Sequence, residues 1–366
     1  MTLMPDRCYV CTTPYQIIAA IAISYNERMH SDLLIIPQFF AADEYADRIR
    51  KYDLFSSVAV VDTSEIEAYK KRTNKLTYGF GIVRNYIFLN SLVYQMTGGR
   101  NYKEIYISSQ ANIGRLISLY YRKRGAKIIF FDDGEGSYDD NKIYEAQGID
   151  RRIRAVLFGK EAIRLGSRRQ LYCPELYRKT FGDKDEVTPI PNWSNDNELL
   201  GVMNKISGYS DEAKIREKFV LLDTIPSESF DEEGQNKYEA LFGICTELLK
   251  DKLLIKKHPR DSQEYDKTCA VYKYPAIPFE IICANSDINS KVLISAGSSA
   301  VLMPKILFDS EPVVILLHHI TGNKLGDDVK RQKMITYVRE LYKDKSKFIV
   351  PETIDEFRET IENLKN

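Results

Sequence analysis

Two neighbouring carboxylates and a glycine, Asp132-Asp133-Gly134, directly follow the apolar run KIIFF. A strand ending there carries acid side chains to the edge of a sheet, where one can take a proton from a hydroxyl nucleophile, and the glycine leaves room for close approach. The same residue types also make an ordinary tight turn. Lys256-Lys257-His258-Pro259 closes a second apolar run, DKLLI. An imidazole held by the following proline and flanked by lysines suits a phosphate oxyanion, and when protonated it can assist the departure of that group. Such a histidine can equally pack or face solvent. A third group, Ser295-Ala296-Gly297-Ser298-Ser299, follows KVLI and opens AVLMPKILF. It reads either as a helix cap or as a phosphate cradle, in which Gly297 permits backbone approach.

Two further segments supply polar groups without a clear reaction. Glu280 ends the proline-stiffened loop YPAIPFE, and a carboxylate there suits paired ribose hydroxyls. Thr12, Thr13, Tyr15 and Gln16 join the first strand to the first helix, where they can hold acceptor hydroxyls or simply cap the helix around Pro14. No metal site is expected, because the four histidines lack ligand spacing. A GxxxxGK[ST] phosphate loop is also missing. Cys8 and Cys11 have C-x-x-C spacing but no second pair, so they read as core thiols of the first strand.

The elements that must position these groups alternate regularly. Apolar bursts and helical patterns follow one another from RCYVCT to KIIFF, with one long helix expected over 74–96. The alternation resumes at KFVLLD and runs to TIDEFRETIENLK. This is the grammar of βαβ units, so the expected fold class is α/β, with two Rossmann-like domains facing a central cleft. Residues 1–190 form the expected N-terminal Rossmann-like domain, 191–215 a linker rich in turn formers, and 216–366 the C-terminal Rossmann-like domain. In such sheets ligands sit beyond the carboxyl ends of the strands, which is where the candidate residues fall.

The length of 366 residues fits two domains, and 44% hydrophobic with 28% charged residues is globular composition. Lys plus Arg and Asp plus Glu stand at 52 each, so nucleic acid is not an expected partner. No run is long enough to span a membrane and no signal-peptide order opens the chain, so a cytoplasmic location is expected. One stretch departs from this balance. The segment 151–169, RRIRAVLFGKEAIRLGSRR, sets Ile153, Val156, Leu157 and Ile163 among arginines, a pattern suited either to an anionic membrane face or to a helix packed on its own domain.

In order, Asp132-Asp133-Gly134, His258-Pro259 and Ser298-Ser299 resemble the acidic-acidic-Gly, His-Pro and Ser-Ser/Thr motifs of bacterial sialyltransferases. CTTPYQ at 11–16 resembles the opening of glycosyltransferase family 52, which includes lipooligosaccharide and capsule sialyltransferases. The resemblance implies a GT-B fold and inverting, metal-independent transfer from CMP-sialic acid to a galactose-containing surface glycan. CMP-sialic acid is then donor substrate, with no further cofactor. Asp132 would be the general base, with Asp133 as the fallback. His258 would be the acid at the donor phosphate, with Lys257, Pro259, Gly297, Ser298 and Ser299 around it and Glu280 at the ribose. Thr12, Thr13, Tyr15, Gln16 and Gly134 would line the acceptor side. Two alternatives stay open: a related GT-B enzyme using another nucleotide sugar, and a non-catalytic nucleotide-sugar-binding protein of a glycan locus. A lipid-linked acceptor, peripheral membrane association and a homodimer are open in the same way.

Overall fold

In the computed structural model, residues 5–27, 30–37, 40–68, 75–109, 113–139, 145–225, 229–258, 265, 269–322 and 329–365 are described. The chain divides into two compact units, Met1–Trp193 and Ser194–Asn366.

The first unit is built on a sheet of seven parallel strands: β1 (Arg7–Cys11), β2 (Ser31–Ile35), β3 (Ser57–Val60), β4 (Glu104–Ile107), β5 (Lys127–Phe131), β6 (Arg168–Leu171) and β7 (Glu186–Pro189). Their order is β3-β2-β1-β4-β5-β6-β7. The order reverses between β1 and β4, so loops leaving the carboxyl ends there diverge and open a crevice. β1 is buried almost throughout because the helices of the crossovers cover both faces of a parallel sheet. Its Cys8 and Cys11 are core thiols, and burial pushes both well above the ordinary thiol range.

The second unit repeats the plan with β8 (Phe219–Leu222), β9 (Leu253–Lys256), β10 (Ala270–Val271), β11 (Val292–Ser295), β12 (Val313–Leu316) and β13 (Phe348–Ile349). The order β10-β9-β8-β11-β12-β13 is again parallel, and the reversal lies between β8 and β11. The helices Glu232–Leu249 and Ile354–Lys365 cover one face, packing Tyr238, Leu241, Phe357 and Ile361 onto Phe219, Ile255 and Ile294.

Four local expectations are corrected. The long helix expected over 74–96 is two helices, Lys75–Ile87 and Leu89–Thr97, separated at Phe88. The expected linker 191–215 contains the helix Asn197–Ser207, which belongs to the second unit. Its turn-forming residues are caps: Asp196 accepts from the Glu198 and Leu199 amides, and Gly208 ends the helix at φ 71°. The basic segment 151–169 is not one helix. The helix Gly148–Phe158 stops at Gly159, whose φ of 86° no ordinary residue adopts readily, and Ile163 therefore leaves the helical face. Arg168 and Arg169 open β6, a strand with no apolar signature, because Arg169 is buried against the Phe130 ring and paired with Asp185 at 3.1 Å. Finally, the helix expected after Ser299 begins as a 3-10 turn, Ser299–Leu302, and becomes α-helical only over Met303–Phe308.

Candidate functional site

In the first unit the turn after β5 is tied to the turn after β1, across the end of the intervening β4. Thr13 caps the helix Pro14–Glu27, its hydroxyl accepting from the Gln16 amide at 3.3 Å, and Pro14 occupies the first helical position, where a missing N–H costs nothing. The cap sets Tyr15 and Gln16 on the first helical turn, where both reach the acid pair. The Tyr15 hydroxyl donates to Asp132 Oδ1 at 2.8 Å, and Gln16 Nε2 donates to Asp133 Oδ1. The Gln16 carbonyl oxygen is held in turn by the Thr12 amide at 2.6 Å and the Thr12 hydroxyl at 3.2 Å. These bonds leave Gln16 one orientation.

The two carboxylates have different surroundings. Asp132 is completely buried and both of its oxygens are engaged. Oδ1 accepts from Tyr15 and from the Gly134 amide, while Oδ2 accepts from the Tyr138 hydroxyl and the Tyr172 amide at 3.1 Å. Burial raises its carboxyl, and the four donors oppose that rise. Asp133 is only half-buried. Burial pushes its carboxyl from an ordinary 3.8 up to about 6, the Gln16 hydrogen bond pulling it down and the charge of Asp132 adding to the rise. A base of that strength is ionised near neutrality yet more basic than a free carboxylate. Asp132 is thus the anchor of the turn, and Asp133 is the more accessible carboxylate of the pair.

Turn and acid site are one construction. Gly134 takes φ 76° and folds its amide back on Asp132, and the Asp133 amide donates to Ser137 Oγ at 2.8 Å. Tyr138, Tyr172 and Trp193, which sequence reading did not single out, brace it. The Tyr138 hydroxyl accepts from the Cys173 amide at 3.1 Å, and Trp193 Nε1 donates to the Tyr172 hydroxyl at 3.1 Å. Only the fold marks them, by burying Tyr138 and Trp193 and bonding Tyr172 to both Asp132 and Trp193, since aromatic residues are scattered throughout the chain.

In the second unit Lys257 and His258 follow the carboxyl end of β9, Gly297, Ser298 and Ser299 follow that of β11, and Glu280 lies on a helix between them in the chain. Lys256 is buried at the end of β9, its ammonium 5.6 Å from the Tyr272 ring centroid. Burial lowers its pKa while the Glu280 carboxylate supports the charge. Glu280, on the first turn of the helix Phe279–Asn285, is raised by burial and relieved by Lys256. The two residues thus compensate each other, a role for Glu280 besides the ribose contact expected of it. Lys257 lies with its ammonium 5.6 Å from the Tyr265 ring centroid, and His258 follows, half-buried. Pro259 lies outside the described residues.

The serine loop owes its shape to Ser295, the first residue of the group, to which the sequence assigned no separate role. Its buried hydroxyl donates to the Leu222 carbonyl of β8 and accepts from the amides of Gly297 at 3.3 Å and Ser298 at 2.8 Å. Ser298 Oγ accepts from the Ala300 amide, the capping role. The loop carbonyl of Gly297 accepts from Arg331 at 3.0 Å. Gly297, Ser298, Ser299, His318 and Arg331 line a small recess. Burial, followed by the charges of His319 and Arg331, holds His318 down at about 4, so it is neutral near pH 7. Among the described residues no group of three or more His, Cys, Asp or Glu is arranged to hold a metal.

No protein-family model matches the sequence, and neither does any curated protein. Solved structures resemble it in fold. UDP-GlcNAc 2-epimerase from Neisseria meningitidis, bound to UDP-GlcNAc, matches 98% of this chain and 100% of its own at 12% identity and a TM-score of 0.50. A UDP-N-acetylglucosamine 2-epimerase described as putative, from Listeria monocytogenes, matches 98% and 95% at 11% identity with the same TM-score. At that identity the likeness is one of fold. It agrees with the α/β class of the two parallel-sheet, Rossmann-like domains of the GT-B type.

Proposed function

We propose that this protein is a glycosyltransferase of the GT-B type that uses a nucleotide-sugar donor, and that its reaction is transfer of sialic acid from CMP-sialic acid to a galactose-containing surface glycan. The observation that carries the reading is Asp133, a half-buried carboxylate at a strand end, raised to about 6 and aimed by Gln16. The sialyl donor rests on the order of the acid pair, His258 and the Ser298-Ser299 loop along the chain.

In this reaction the acceptor hydroxyl gives its proton to Asp133 while its oxygen bonds to the anomeric carbon. The bond from that carbon to the donor phosphate breaks, and its electron pair leaves with CMP. His258 and the Ser298-Ser299 loop serve the phosphate, where negative charge grows as the bond breaks. Thr12, Thr13, Tyr15 and Gly134 belong to the acceptor side.

The deciding experiment incubates the protein with CMP-sialic acid and a panel of small galactosides and follows both CMP release and sialylated product. Product formation that disappears in Asp133→Asn supports the proposal; no turnover of donor with any acceptor overturns it. A UDP-linked donor is the second reading, favoured by the likeness of fold to an epimerase bound to UDP-GlcNAc. Thermal unfolding with CMP, UDP and GDP separates the two, since a nucleotide at 100 times its Kd stabilises the folded state by about 2.7 kcal/mol.

A further inference from the structure

Among the described residues, every large hydrophobic side chain that stands exposed lies on the helices Lys75–Ile87, Leu89–Thr97 and Gly148–Phe158 or at the Phe88 junction. Leu76, Phe80 and Ile87 recur at spacings of four and seven, which puts them along one stripe of their helix, and they are 77%, 77% and 70% exposed. Ile149 and Val156 form a stripe on the neighbouring helix, Val156 at 83% exposure. The two helices pack directly: a Cβ at Gly79 would stand 3.0 Å from Ile149 Cδ1, and the Tyr86 hydroxyl donates to the buried Asp150. Asp150 also pairs with the buried Arg115 at 3.8 Å, so the helix Gly148–Phe158 is fixed by its polar side and its apolar side is left outward.

Charge identifies the occupant. The only acid on the three helices is Asp150, which is buried, whereas Arg84, Arg151 and Arg152 are exposed beside the apolar stripes. Glu145 stands 3.8 Å from Arg151, but Arg84 and Arg152 add to the positive charge beside the stripes. Exposed apolar residues rimmed by a net positive charge match an anionic lipid surface: the side chains enter the acyl boundary while the guanidinium groups meet the headgroups. We infer that this face docks the protein on anionic membranes. Most of the apolar contact comes from the helix Lys75–Ile87, not from the segment 151–169 where the basic sequence draws attention.

Flotation of the full chain with vesicles of phosphatidylcholine, alone or mixed with phosphatidylglycerol, tests this. The wild type should rise with the mixed vesicles only, and less at high salt. The variant Leu76→Ser/Phe80→Ser/Ile87→Ser and the variant Arg151→Gln/Arg152→Gln should each lose binding about 10-fold or more, each arginine being worth roughly fivefold. Because these side chains are exposed, the unfolding midpoint should stay near that of the wild type. Failure of the wild type to float with phosphatidylglycerol overturns the inference, as does undiminished flotation of both variants. A wild-type dimer that the apolar variant converts to monomer, without vesicle binding, assigns the face to a second copy and also overturns it.

Discussion

Gln16 on the first helical turn and Asp133 at the end of the fifth strand, 117 residues apart in the chain, are joined by a hydrogen bond from the amide Nε2 to carboxylate Oδ1. The bond joins the chain's first turn to its acid pair. It also separates the roles of two adjacent acids, because Tyr15, one residue earlier, binds Asp132 instead.

Asp133→Asn should abolish most turnover and yet stabilise the fold near neutrality. The folded carboxyl titrates at about 6 against 3.8 unfolded, so the folded state binds more protons between those values. The stability this group contributes is present below the unfolded value and is lost as pH rises through the folded one, at a cost of up to about 3 kcal/mol by neutral pH. Denaturant titrations should therefore show the variant gaining stability near neutrality and no gain near about pH 4. Turnover should fall about 10²- to 10⁴-fold, with donor binding unchanged.

Asp132→Asn should act in the opposite direction. Asparagine offers one acceptor oxygen where four donors converge, and it turns an N–H₂ toward the Tyr172 amide or the Gly134 amide. The unsatisfied buried donor should cost about 1–3 kcal/mol, read from the midpoint of urea unfolding. Equal stabilisation of both Asn variants would remove the distinction drawn between the two acids.

Gln16→Met keeps the bulk of the side chain and deletes the hydrogen bond that lowers the Asp133 pKa. The acid limb of the kcat/KM profile should move to higher pH, while a purely structural change would lower the whole profile without moving it.

Ser295→Ala should destabilise the second unit by about 1–3 kcal/mol, because the amides of Gly297 and Ser298 lose their acceptor and the Leu222 carbonyl loses a donor. Under the proposed function it should also weaken nucleotide binding measured by calorimetry, as should His258→Ala.

Several features were legible in the residues alone. Alternating apolar bursts and helical patterns specify parallel α/β halves, since a strand buried on both faces must be apolar and its crossover helix must be amphipathic. Strand-end placement of Asp132-Asp133, Lys257-His258 and Ser298-Ser299 followed from where those bursts stop. Charge and turn formers misled wherever tertiary partners redefine them. Arg169 reads as surface charge but is buried on Phe130, and the residues around Asn195 read as a linker but cap a helix.

By itself, then, the order of residue types determined the class of fold and which segments end at the ligand edge of a sheet, because periodicity and strand-terminating residues are local properties. Which acid is anchored and which is left basic, which serine shapes the loop, and where apolar side chains stay exposed were decided by the tertiary structure alone. Each depends on burial and on donors from residues far along the chain, and neither quantity exists until the strands are side by side.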